Sequence, residues 1–282
     1  MNPFNLRSKP WWMGIINATP DSFSDGGKNS SADGVLAAIK EFHQHQFEVV
    51  DIGCESTAPS NHPLTALEEK KRLDEWVIPA LAKTPFWENL IVSIDTYRFE
   101  NFHYVYESIV KTGRRPKHWI FNDVSGSGWR KGKKFLGEAD DVSYVYTPSL
   151  CPSPEEDFRH ARYHFPCNGD DFLKALTNHM DASIKELAFL GSRLILDPGF
   201  GFSKTRAQCL FLAEHLPRLL DHWPSKPWLI GVSRKSFLRG EGCLRDEILS
   251  SEDKHLELLK RWSLQSTKFM LIFRVHDPLT LL

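Results

Sequence analysis

Asp95, Asn122 and Asp197 place two carboxylates and an amide directly after short apolar runs, at 91–94, 119–121 and 194–196. Ionised carboxylates only accept hydrogen bonds, whereas an amide both donates and accepts. Brought together, the three could read the edge of a flat heterocycle rich in amino, ring N–H and carbonyl groups. Lys235, Arg274 and His276 follow two further runs, 228–232 and 269–273, and supply a cationic set. The planar guanidinium of Arg274 matches phosphate oxygens, and the two-residue spacing to His276 puts both on one side of a strand. Any one of these acids could instead cap a helix or pair with an arginine, and His276 alone could be a structural histidine. The shared position, each closing an apolar run, is what points to one site. Asn17 after 12–16 and Asp51 after Val49 and Val50 continue the pattern.

Residues so placed need elements that deliver them to one point. Between the apolar runs lie segments with helical spacing: Val35, Leu36, Ile39 and Phe42 share one helix face, and 64–81, 99–110, 172–190, 207–219 and 254–262 read the same way. A weaker strand at 142–146 brings the strands to about eight, in alternation with helices. Strict alternation implies a parallel sheet with right-handed crossovers. An open doubly wound sheet gathers ligand residues at one switch point, whereas only a closed barrel brings every strand end around one mouth. The expected fold is therefore an α/β (β/α)8 TIM barrel, one domain over 1–282 with its core about 11–277. Gly126, Ser127 and Gly128 read as a loop, and the basic runs 130–134 and Arg114–Arg115 as solvated loop faces. After the last strand only 277–282 follow, too few for a closing helix. An uncovered flank is expected there, screened by the first ten residues or by a partner.

With 282 residues, 41% of them hydrophobic, the chain can bury a large core. A formal net charge of -1 offers no global field to draw nucleic acid or an acidic membrane, so anion recognition must be local. The five cysteines, Cys54, Cys151, Cys167, Cys209 and Cys243, form no CxxC pair, which suits a reducing cytoplasm. No targeting or membrane-spanning segment is expected. The stretch 199–205 evokes a P-loop but lacks its Gly-Lys-Ser/Thr ending and spacing. No HExxH, Cys/His cluster or nucleophile-elbow serine is present, which argues against structural zinc and covalent catalysis.

The string 17–27 (NATPDSFSDGG), with 51–57 (DIGCEST), 93–97 (SIDTY), 195–202 (ILDPGFGF), 233–237 (SRKSF) and 274–277 (RVHD), closely resembles the dihydropteroate synthase family. The motifs run in family order from residue 14 to residue 277. The resemblance implies that a pterin is bound by Asp95, Asn122, Asp197 and Lys235. It implies diphosphate held by Asn17, Arg274 and His276, with Asn17 helping to hold Mg²⁺. It places p-aminobenzoate against Phe23, Thr57, Pro59 and Ser236, with Asp95, Lys235 and Arg274 as the catalytic set. A homodimer is the state the family usually adopts. Two departures stand out. Where the family's second loop reads Gly-Gly-Glu-Ser-Thr-Arg-Pro, this chain has Ala58 in the arginine position. The lost charge-assisted contact is worth roughly 1.5–3 kcal/mol, or about one to two decades in rate or affinity, so impaired activity is expected. Tyr146, Thr147 and Pro148 replace a Met/His-rich segment, which alters one wall of the pterin pocket. Two other readings stay open: a non-catalytic or altered pterin-binding homologue, and a methyltetrahydrofolate-binding methyltransferase-type barrel. The Ser-Arg-Lys-Ser string at 233–236 speaks against the latter.

Overall fold

Inward-facing side chains recur every second residue along each strand. That period builds the barrel of this computed structural model, which describes residues 3–20, 29–55, 63–151, 163–239 and 245–280, with the side chains of 245–250 excepted. The strands are β1 (Trp11–Asn17), β2 (Val49–Gly53), β3 (Ile91–Asp95), β4 (His118–Asp123), β5 (Val142–Tyr146), β6 (Leu194–Leu196), β7 (Trp228–Ile230) and β8 (Leu271–Val275). All neighbours are parallel and β8 closes on β1, giving the expected barrel. Met13, Val49, Ile91, Ile120, Val145, Ile195, Leu229 and Ile272, one from each strand, pack together inside it. Burying each such side chain contributes about 1.5–3 kcal/mol.

The floor of the barrel is closed by the N-terminal arm. Phe4 sits edge-on to Trp11 at 5.1 Å between ring centroids. Arg7 lies over the Trp11 ring and pairs with Glu48 at 2.6 Å. The expected screen on the β8 flank therefore lies underneath instead. That flank is filled by aromatic residues: Phe273 meets Trp12 at 5.6 Å, and Trp12 meets Phe47 at 6.0 Å. The outward residues Leu271, Phe273 and Val275 are all buried. After β8 the described residues contain only a 3-10 turn, Pro278–Thr280.

The outer helices are α1 (Ala32–Gln44), α2 (Ala66–Arg72), α3 (Ile78–Lys83), α4 (Phe99–Val110), α5 (Trp129–Glu138), α6 (Gly169–Glu186), α7 (Arg206–Glu214), α8 (Leu216–Leu220) and α9 (Arg245–Ser263). Ser31 caps α1 by accepting from the Gly34 N–H at 3.1 Å. The single helix expected over 64–81 is broken by a π turn, Leu73–Val77. Pro79 lacks the N–H that would bond Glu75, which explains a break there. The basic run 130–134 is helical, not a loop: α5 buries Trp129, Gly132 and Leu136 and turns its charges outward. Arg130 pairs with Glu186 and Lys131 with Glu100, both exposed. No helix among the described residues is long and apolar enough to cross a membrane.

Candidate active site

The two-residue period that fills the barrel continues past its apolar layer to the C-terminal rim. From Met13 it reaches Asn17, from Val49 Asp51, and from Ile91 Asp95. Ile120 leads in the same way to Asn122, Val145 to Thr147, Ile195 to Asp197, and Ile272 to Arg274 and His276. Alternation also sorts adjacent residues. Asn122 enters the barrel, while Asp123 turns out to accept from the Gly128 N–H (2.7 Å), the Ser125 N–H (2.8 Å) and the Tyr144 hydroxyl (2.7 Å), anchoring the start of α5.

Asp51 is the centre of this rim. It is fully buried and accepts from Ser93 Oγ at 2.5 Å, from Arg274 Nε at 2.6 Å and from Asn122 Nδ2 at 3.1 Å. Arg274 also reaches Asp95, its Nη2 lying 2.5 Å from Oδ2. The sequence pattern contained Asp51 but gave no reason to rank it above its neighbours; the inward register supplies that reason. Asn122 commits its amide N–H₂ to Asp51, so its carbonyl oxygen is the group left to accept from a ligand. Gly53 pairs with Asp95 in register, and a Cβ there would lie 3.3 Å from Asp95 Cβ. Glycine leaves room for the acid.

Burial sets the charge states here. Asp95 is raised to about 7, chiefly by burial, with Arg274 pulling it down and Asp51 adding to the rise. Asp197 is likewise raised by burial, and is partly offset by the Gly199 N–H at 2.6 Å and by Lys235. Lys235 is lowered by burial; it lies 4.4 Å above the Phe202 ring and against Gly201. It follows Arg234, whose φ of 58° is uncommon outside glycine. His276, expected among the cations, is held well below its ordinary value by burial and by Arg234, Arg274 and Lys235. It is a neutral imidazole, 3.0 Å from Ser233 Oγ through Nδ1. Sequence reasoning also passed over Lys204, buried beside Asp197, bonded to the Phe202 carbonyl at 3.1 Å and lowered by burial to about 8.

The structure thus brings Asp95, Asn122, Asp197, Lys235, Arg274, His276 and Asn17 to one rim. Ser236 stands exposed at the start of the 3-10 turn Ser236–Leu238. Phe23, Thr57, Ala58 and Pro59 lie outside the described residues. At the altered β5 end only Thr147 carries the inward register; Tyr146 points out and donates to Ser183 at 2.9 Å. Thr147 is fully buried, and its hydroxyl has no partner among the described residues.

Residues 13–255 match the family described as pterin binding enzyme. A dihydropteroate synthase from Clostridium beijerinckii is 31% identical over 83% of this chain and 78% of its own length. The mitochondrial folate synthesis bifunctional protein of Pisum sativum is 29% identical over 95% of this chain, which spans only 51% of that relative. Among solved structures, Xanthomonas albilineans dihydropteroate synthase with 4-aminobenzoic acid superposes with a TM-score of 0.69 at 28% identity, covering 96% of this chain and 89% of that one. A closed parallel barrel, an acid-and-amide rim facing cations, and a family match over most of its length agree: this chain belongs to the pterin-binding enzyme family and, within it, to the dihydropteroate synthases.

Proposed function

We propose that this chain condenses 6-hydroxymethyl-7,8-dihydropterin diphosphate with p-aminobenzoate, giving 7,8-dihydropteroate and diphosphate in folate biosynthesis. The observation that carries this reading is the shared inward register of Asp95, Asn122 and Asp197 with Lys235 and Arg274. It sets groups suited to a pterin edge beside groups suited to a diphosphate. In the reaction the bond from the exocyclic CH₂ carbon to the diphosphate oxygen breaks, and the electron pair leaves with diphosphate. The amine nitrogen of p-aminobenzoate forms the new C–N bond and releases its proton to solvent. Asp197 and the Asn122 carbonyl accept from the pterin's N–H groups, Lys235 bonds its polar edge, and ionised Asp95 stabilises the positive charge that builds on the ring. Arg274, fixed between two carboxylates, presents a preorganised cation to the leaving group. Neutral His276 donates a hydrogen bond without adding charge.

For Mg²⁺ the donor set is thin. Asn17 offers one amide oxygen, and no group of three His, Cys, Asp or Glu among the described residues could hold an ion. That fits a hard cation that keeps waters and diphosphate oxygens and takes Asn17 as a protein ligand. Bound in this way, it would neutralise charge on the departing diphosphate. Phe23, Thr57, Pro59 and Ser236 form the proposed p-aminobenzoate side. The cytoplasmic placement rests on the scattered cysteines, those of the described residues being free thiols. A homodimer is the proposed assembly, read by sedimentation.

The test mixes purified protein with dihydropterin diphosphate, Mg²⁺ and p-aminobenzoate, and follows diphosphate and dihydropteroate together. Equimolar appearance of both supports the reading. Tight pterin binding without turnover overturns it in favour of an altered pterin-binding homologue, the reading that Ala58 favours.

A further inference from the structure

The segment that ends β3 does two things at once. Asp95 enters the barrel, while Thr96, Tyr97 and Arg98 turn outward into a buried polar cluster. Arg98 Nη1 donates to Glu55 Oε2 at 2.6 Å and to Glu69 Oε2 at 2.7 Å. Its Nη2 donates to Tyr97 Oη at 2.5 Å and to the Leu64 carbonyl. Glu55 Oε1 in turn accepts from the Leu64 N–H and the Tyr97 hydroxyl, each at 3.1 Å. Asn101 Nδ2 donates to the same Glu69 Oε2 at 2.7 Å. Arg98 is 3% exposed and Glu69 1%, so this is not a surface ion pair of small effect. Removing one partner of such a buried set leaves the others uncompensated.

Glu55 and Leu64 flank 56–62, the stretch that carries Thr57 and Pro59. One guanidinium therefore joins the described residues on either side of that stretch, directly at Glu55 Oε2 and at the Leu64 carbonyl. Only a planar fork can reach four acceptors on three segments; a lysine ammonium on a single stem cannot. We propose that Arg98 is a positioning residue for the second substrate, fixing Glu55 and Leu64 relative to Asp95. This rests on the reading of p-aminobenzoate as the co-substrate.

The test compares wild type, Arg98→Met and Arg98→Lys. KM for p-aminobenzoate should rise at least tenfold in Arg98→Met, with KM for the pterin diphosphate within about twofold; Arg98→Lys should recover only part of the loss. If Arg98→Met fails to fold, Glu55→Gln takes its place, with the same selective rise expected. Both KM values moving together, or neither moving, overturns the proposal. Hydrogen exchange at the Leu64 amide provides a readout independent of turnover: it should quicken at least tenfold in Arg98→Met, and an unchanged rate also overturns the proposal. An inactive wild type would strike the activity reading alone, because the exchange comparison still decides the role of Arg98.

Discussion

Asp51 shows how one buried carboxylate can organise a site without facing the substrate itself. Ser93, Asn122 and Arg274 all donate to it, so it orients a pterin-side amide and a diphosphate-side cation together. Asp51→Asn removes a charge and sets an N–H₂ against groups that are already donors. We expect kcat/KM to fall about 10- to 100-fold, the equivalent of roughly 1.5–3 kcal/mol for a charge-assisted hydrogen bond. The pH profile gives a second readout. Burial first, opposed by Arg274 and helped by the Asp51 charge, leaves Asp95 raised to about 7. The ionised form, which stabilises the cationic pterin, therefore grows as pH rises through about 7. Without the Asp51 charge the Asp95 pKa falls, so the acid limb of kcat/KM should move to lower pH. A limb that stays put or moves to higher pH contradicts this electrostatic account.

Strands and helices were legible to different degrees, for reasons their residues make plain. The extents of β5, β6 and α4 follow from apolar pattern alone. β1, β2, β3 and β4 each include the polar residues that close their apolar runs. The ladder runs through Asn17, Asp95 and Asn122, whose side chains point into a polar rim where Asp51 and Arg274 compensate the burial of Asn122 and Asp95. β8 begins at Leu271, two residues into the apolar run 269–273, and ends at Val275, where the strand was expected to stop. α5 was hidden by its basic run; the signal lay in Trp129, Gly132 and Leu136, spaced for one helix face. Of the site, residue types at strand ends were readable one by one, whereas Asp51, Lys204 and the neutral state of His276 depend on neighbours distant in sequence. Helix-to-sheet packing yields its own prediction. A Cβ on Gly14 would sit 2.3 Å from the Phe42 ring, itself 4% exposed. Gly14→Ala should therefore destabilise the protein by about 1–3 kcal/mol through overpacking. In a Phe42→Leu background the penalty should shrink, which a double-mutant cycle by urea denaturation reads directly. Additive effects would mean that α1 yields instead.

At the scale of the whole molecule, buried histidines tie stability to acidity. Burial lowers His118, 2.9 Å from Ser143 Oγ, to about 3, and His255 to about 4. Both folded values lie below the unfolded 6.5, so the unfolded chain binds the extra protons and stability falls as pH drops from about 6.5 towards 3. The urea midpoint should be lower at pH 5 than at pH 7. His118→Gln should flatten that slope and leave the part due to His255; an unchanged slope would show that other groups control acid unfolding. The arm closing the barrel floor has a consequence of another kind. Phe4, Trp11 and Arg7 complete the hydrophobic interior at the end opposite the chemistry. Folding and reactivity therefore draw on separate sets of residues. Substitutions at the rim, such as Thr147, can accumulate under relaxed or altered selection without eroding the scaffold. Descendants of such a barrel can exchange one ligand for another while keeping the same floor.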